Sequence, residues 1–279
     1  MDYYLLNINR NNVNCVDYWI KTKNIAPIFY GDSTINEIVN QKKPFPQDAY
    51  TFIDNFSKIN KNAIIISIGN SSLYIFKQKN NMKEYPEFKN IVDGDLVKGI
   101  EIEIMNEVEI KKCPLVLVTI KSNRYMASGA FRKINESKGK SYFGNIKAIE
   151  YLLYGKEPEI NTFEDYLYCL SSIEFETLIA KMYEERDFYV PAYKGGFIKN
   201  FDLFCKENNG GEILSLQIKL NLKKDNYNEF TNLFYCINSE IKKENIKTWK
   251  EIKEEITKCN ETKNWLKQSL EWVNYKGDI

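Results

Sequence analysis

The stretch FDLFCKENNGGEILSLQIKL, Phe201 to Leu220, decides how the second half of the chain is read. Two runs rich in β-formers flank a polar turn containing glycine, the pattern of two paired strands. Side chains alternate along a strand. Phe201, Leu203 and Cys205 therefore share one face, and Asp202 and Phe204 the other. In the second run Leu214, Leu216, Ile218 and Leu220 point one way; Ser215, Gln217 and Lys219 point the other. If the runs pair, an acid, an amide and an amine meet on one face. A carboxylate and an amide oxygen can hold a hard cation. An ammonium beside them can hold a water or offset developing negative charge. The spacing alone also suits an ordinary solvent-facing sheet surface.

Upstream, Ser171 and Glu174 have the spacing of a capping box and start a helix. Phe175, Leu178, Ile179, Met182 and Tyr183 form its apolar face, with Glu176 at the edge of that stripe. Glu174 is read as the cap. Phe188 to Tyr193 reads as a strand, confined to a sheet edge by Pro191. Downstream, Phe230, Leu233, Phe234, Ile237 and Ile241 recur at helical spacing and predict a core helix. Trp249 to Val273 predicts two more helices, with Trp265 and Trp272 packing from one face.

This order of helix, strand, strand with Asp, and strand with Gln-x-Lys resembles the Mrr-type branch of the PD-(D/E)xK nuclease superfamily, over residues 165–240. The matching residues are EFE (Glu174–Glu176), NFD (Asn200–Asp202) and QIK (Gln217–Lys219). The resemblance implies a mixed sheet flanked by helices and Mg²⁺- or Mn²⁺-dependent hydrolysis of DNA phosphodiesters. It casts Asp202 as main metal ligand, Gln217 as completing the metal site, Lys219 as orienting the attacking water and Glu176 as the helix acid. The sequence departs from the family in GGFIKNFD, where Lys199-Asn200 stands in place of a Gly-rich, acidic approach to the Asp.

Composition limits the chemistry. The 279 residues contain no histidine, which excludes Ser-His-Asp and Cys-His catalysis and histidine metal ligands. The six cysteines form no CxxC pair, so they predict buried, inert thiols rather than a zinc site or a disulfide framework. The net charge of +1 names no partner. No apolar run is long enough to span a bilayer, and MDYYLLNINRNN lacks the pattern of a signal peptide. The expectation is a cytoplasmic protein with no membrane partner.

The first half is rich in strand signals. Tyr3–Ile8, Asn24–Tyr30, a hairpin over Ala63–Phe76, Gly99–Ile110 and Pro114–Ile120 all read as strands, the last as a central one. Short helices are expected over Val13–Lys21, near Ile35–Val39, over Ala49–Ile59 and over Ala148–Tyr154. The fold class is α/β (α+β): a strand-rich domain over 1–155, built as a small barrel or strongly curved sheet, then a nuclease-like domain over 156–279. The stretch 121–147 interleaves basic and aromatic residues, among them Lys121, Arg124, Arg132 and Lys133. With Lys223 and Lys224 these are the candidate nucleic-acid contacts; a solvated lysine-rich loop is the alternative. The N-terminal layout loosely resembles the EVE/PUA-like domains, small barrels that take up a flipped base. That resemblance makes Trp19, Tyr30 and Asp32 candidate pocket residues, beside Phe29.

The expected function is a metal-dependent endonuclease of restriction or anti-phage type, directed by modification if the first domain reads flipped bases. Two other readings stay open: a catalytically inactive nucleic-acid-binding or assembly protein on the same fold, and a nuclease effector switched on by a nucleotide. Cutting both strands would favour a homodimer.

Overall fold

The Gly-Asn-Ser-Ser turn and the β-branched runs beside it form the predicted hairpin at the middle of the first sheet. The computed structural model describes residues 1–10, 13–29, 31–40, 53–56, 58–122, 126, 131–134, 140–193, 201–211, 213–228 and 231–279. The chain divides into two compact units. The first comprises Met1–Cys113 and Ile120–Asn135; the second comprises Pro114–Thr119 and Glu136–Ile279. The division expected between 155 and 156 thus falls inside the second unit.

Seven strands build the first unit's sheet: β1 (Tyr3–Leu6), β2 (Ile25–Ile28), β3 (Ile64–Ile68), β4 (Ser72–Gln78), β5 (Lys83–Tyr85), β6 (Val97–Glu109) and β7 (Phe131–Ile134). Their order is β2-β6-β4-β3-β1-β7, with β5 also paired to β6. Only β1 and β3 run parallel. The sheet is a curled half-barrel. Its curl centres on the long β6, whose first residues pair with β2 and β5 and whose remainder pairs with β4 across a register shift at Ile75/Phe76. Gly99 permits this. A Cβ there would come within 2.6 Å of Ala26 O and push β2 away. Leu6, Ile20, Phe56, Tyr74 and Phe76 fill the concave side, each contributing ~1.5–3 kcal/mol by burial. The helix expected over Val13–Lys21 is a short strand, Val13–Asn14, followed by a π-helical turn, Asp17–Thr22.

Helix α1 (Ile35–Val39) also belongs to this unit. The central strand expected over Pro114–Ile120 is instead a single helical turn, α2 (Leu115–Val118). Pro114 caps it, its carbonyl accepting from Leu117 N and Val118 N. A proline that lacks an N–H and fixes φ starts a helix more easily than it sits in a central strand. The turn packs on α3 (Phe143–Tyr154), and Asn145 Nδ2 donates to Val116 O at 2.7 Å. That helix is longer than the segment expected at 148–154.

The second unit holds, besides α2 and α3, α4 (Phe163–Leu167), α5 (Ser172–Glu184), α6 (Trp249–Ile256) and α7 (Asn260–Ser269). They accompany a mixed sheet of five strands: β8 (Phe188–Tyr193), β9 (Leu203–Glu207), β10 (Ile213–Leu222), β11 (Leu233–Ser239) and β12 (Ile246–Lys247), in that spatial order. The first three are antiparallel, and the last three run parallel. β8 is an edge strand, with a register shift between Tyr189 and Ala192 that brackets Pro191. The capping box at Ser171 and Glu174 forms as the sequence predicts.

The core helix expected over 230–241 is corrected to β11. Leu233, Phe234, Ile237 and Ile241 fit a helical stripe, but Tyr235 and Cys236 between them are equally apolar, and Phe234–Ile237 is buried throughout. Such a run is what a strand covered on both faces requires. Of the two tail tryptophans, Trp272 is buried and lies beyond α7, whereas Trp265 is half-buried within it. No helix among the described residues is long and apolar enough to cross a membrane.

Candidate active site

The five-stranded sheet has two different faces. Ile218 and Tyr235 are register partners and point the same way. The Tyr235 hydroxyl lies 3.0 Å from the Tyr183 hydroxyl of α5 and donates to Glu255 Oε2 of α6 at 3.0 Å. Arg186 closes this network on Glu255 at 3.3 Å. Burial pushes the Tyr183 phenol up to about 12, and Tyr235 higher still, where the neighbouring Tyr183 and Glu255 add to burial. Helices α5 and α6 therefore cover the Ile218 face.

Gln217 and Lys219 point to the opposite face. The β9–β10 register pairs Leu203 with Leu216; carried one residue further, it sets Asp202 opposite Gln217. Asp202 is 3% exposed. Its Oδ2 accepts from Ile218 N at 2.8 Å and from Lys219 Nζ at 2.7 Å. Lys219 keeps 30% of its side chain exposed, so the pair has one buried end and one wet end. Gln217 is buried, and its Oε1 accepts from Asn228 Nδ2 at 3.3 Å. The strand alternation read from the sequence thus brings Asp202, Gln217 and Lys219 together. It does not bring Glu176 in the same way. Glu176 is half-buried on α5, whose apolar stripe faces the other side of the sheet.

Two groups on the same face were missed by sequence reasoning. One is Asn228, in a segment that carries no motif. The other begins at Tyr168, whose hydroxyl donates to Asn221 Oδ1 at 2.6 Å and accepts from Asn238 Nδ2 at 3.0 Å. Asn221 lies two residues beyond Lys219 on β10, and Asn238 is its partner on β11. The alternation Gln217-Lys219-Asn221 was the available signal. Burial pushes Tyr168 up to about 12, so the hydroxyl stays protonated and donates at neutral pH.

Among the described residues, no three His, Cys, Asp or Glu side chains gather where they could hold a metal ion. Among the described residues the oxygens brought together here are the Asp202 carboxylate and the Gln217 amide oxygen. These are hard oxygen ligands. They fit Mg²⁺ or Mn²⁺ bound through a single carboxylate together with the oxygens of a substrate phosphate.

The expected nucleic-acid contacts fall into two groups. Lys121 turns inward, its Nζ donating to Ile68 O at 3.4 Å, and burial lowers its pKa. Lys133 pairs with Asp2 at 2.7 Å. Arg132 lies beside it on β7, and Arg124 lies outside the described residues. Lys223 and Lys224, by contrast, follow β10 directly and are exposed. Of the expected base pocket, Trp19 is a core side chain, 2% exposed, with its ring against Phe29 and Phe88. Asp32 pairs with Lys89 at 2.7 Å, and Tyr30 lies outside the described residues. The thiols of Cys113, Cys205 and Cys236 are raised by burial, which keeps them protonated.

No protein-family model matches this sequence, and no curated protein is significantly similar to it.

Proposed function

We propose that the second unit is a metal-dependent phosphodiesterase that cleaves DNA at the face bearing Asp202, Gln217 and Lys219. The observation that carries this reading is the Asp202–Lys219 pair at 2.7 Å, with the carboxylate buried and the ammonium part-exposed. The fold supplies a supporting order: helix α5, then three antiparallel strands, with the acid at the start of the second and Gln-x-Lys on the third.

In this reading Asp202 would hold a Mg²⁺ or Mn²⁺ ion, which when bound would supply Lewis-acid chemistry at the scissile phosphate. Gln217 adds its amide oxygen, held in place by Asn228. Lys219 is a cation fixed beside the carboxylate, so it would orient the attacking water and offset the charge that builds on the phosphate. The first unit would choose the substrate, and cutting both strands of a duplex would take two copies of the chain.

A second reading has its own support: among the described residues no three acidic or thiol ligands gather at the site, and Lys219 already compensates Asp202. A protein of this kind would bind nucleic acid without cutting it. The deciding experiment incubates plain and base-modified plasmid with the parent chain, Asp202→Asn and Lys219→Ala, in Mg²⁺, Mn²⁺ or EDTA, with and without added nucleotides. The expected result is metal-dependent cutting that falls at least about a hundredfold in both variants, with circular dichroism unchanged. Absence of cutting under every condition would leave the binding reading in its place.

A further inference from the structure

We infer that the links leaving β10 and β11 form a contact surface for a nucleic-acid backbone, built from Lys223, Lys224, Lys242 and Lys243. This rests on the proposed function, because the surface lies on the same sheet face as Lys219. Residues 223–232 lead from β10 to β11, and residues 240–245 lead from β11 to β12. All three strands are parallel, so right-handed crossovers carry both links over one face. Two contacts identify that face. Asn228 donates to Gln217 Oε1, and the Tyr227 ring stacks on Phe234, the register partner of Gln217, at 5.0 Å.

The four lysines are exposed. Some exposed lysines elsewhere are held by acids, among them Lys133 by Asp2, Lys140 by Asp165, Lys147 by Glu150 and Lys112 by Glu109. Among the described residues, Lys223, Lys224, Lys242 and Lys243 make no ion pair, although the same links carry four acids in sequence, Asp225, Glu229, Glu240 and Glu244. Glu240 instead accepts from the Lys224 backbone N–H at 3.5 Å, and Glu240 N donates to Leu222 O, which ties the two links together. Lys243 is held in a defined place, its Nζ 4.2 Å from the centroid of the Tyr227 ring. With Phe234 stacked on it and Lys243 over it, Tyr227 serves to place a cation rather than to receive a base.

Uncommitted ammonium groups at fixed spacing suit phosphates and carry no sequence code. Lys223 follows Lys219 by four residues of strand, about 13 Å at the usual rise. A backbone lying on Lys223 and Lys224 would thus pass the candidate site. The carboxyl ends of parallel strands are also where open α/β sheets take their ligands.

The test reads binding without cleavage. Fluorescence anisotropy of labelled duplex DNA, single-stranded DNA and RNA is measured in EDTA across a salt series. The parent is compared with the fourfold Lys→Gln variant, with K223Q/K224Q, and with a control, K111Q/K112Q, whose lysines both pair with Glu109. The fourfold variant should bind at least about tenfold more weakly and lose about three units of salt slope on duplex, with K223Q/K224Q losing about half of that. The three ligands show which nucleic acid is preferred. The control should match the parent. Unchanged affinity in the fourfold variant, equal loss in the control, equally tight binding of heparin, or no binding by the parent would each overturn the inference. Loss of binding in a chain that proves unable to cut would uphold it while removing the nuclease reading.

Discussion

The two sheets handle buried polar groups differently. In the first unit several such groups are answered by the main chain, although the Tyr74 hydroxyl donates to Asp17 and the Ser72 hydroxyl to Glu107. Ser67 donates to Leu6 O at 2.8 Å, Asn7 to Met126 O at 3.0 Å, and the buried Lys98 to Leu96 O at 2.8 Å and Gly31 O at 3.1 Å. In the second unit side chains answer one another across elements: Tyr183, Tyr235, Glu255 and Arg186 on one face; Asp202 and Lys219, then Tyr168, Asn221 and Asn238, on the other. Bonds between two side chains are the minority class in folded proteins. Carbonyl acceptors are present whatever the sequence, so the first pattern supports a fold. The second needs particular partners on separate strands and helices, and fits a surface selected for chemistry.

This contrast can be broken at defined positions. Asp202→Ala leaves the Ile218 N–H and the Lys219 ammonium without their shared acceptor. The expected loss is about 2–4 kcal/mol in urea unfolding, tempered by the exposed end of Lys219; Asp202→Asn should lose less. Tyr235→Phe removes one hydroxyl shared by Tyr183 and Glu255 and should cost about 1–3 kcal/mol. Lys98→Met tests the other side of the comparison. Burial lowers the Lys98 pKa, so its ammonium is costly to keep, and replacement should change stability by no more than about 1 kcal/mol. A loss as large as that of Tyr235→Phe would erase the distinction between the units. The sign of its pH dependence is fixed as well. A lysine depressed in the folded state contributes stability above its unfolded pKa and loses it as pH falls through the folded pKa. The parent should therefore gain on Lys98→Met as pH rises from 7 towards 10.

The smallest expected effect lies at Glu174. Burial raises its pKa, opposed by its hydrogen bonds to Ser171. A carboxyl raised in the folded state contributes stability below its unfolded pKa and loses it as pH rises through the folded one. Glutamine preserves the capping box. Glu174→Gln should hold or raise the unfolding free energy at pH 7, by ~1 kcal/mol or less, and give no gain at pH 4.

Sequence reasoning read the second unit well where a residue type has one meaning. Pro191 marked an edge strand, Ser171 and Glu174 marked a helix start, and alternation put Asp202, Gln217 and Lys219 on one face. It failed where apolar runs serve two structures. Phe234–Ile237 matches both a helical stripe and a strand buried on both sides, and only the neighbouring parallel β10 decides between them. Leu115–Val118 has the β-branched content of a strand, yet Pro114 and the packing of α3 make it a helical turn. The Tyr168–Asn221–Asn238 group joins three elements distant in sequence, and no local pattern records such a meeting.

The π-helical turn at Asp17 has a consequence for how the chain can change. The Asp17 carboxylate accepts from Asn70 N at 3.0 Å and from the Tyr74 hydroxyl at 2.8 Å, and a Cβ on Gly69 would overlap its Oδ1. Positions 17 and 69 are therefore one heritable trait, not two. A side chain at 69 would displace the Asp17 carboxylate from its two donors unless the acid at 17 were lost as well. Losing the acid first leaves Asn70 and Tyr74 without their acceptor. The β3–β4 hairpin and the turn that grips it therefore constrain each other at these positions.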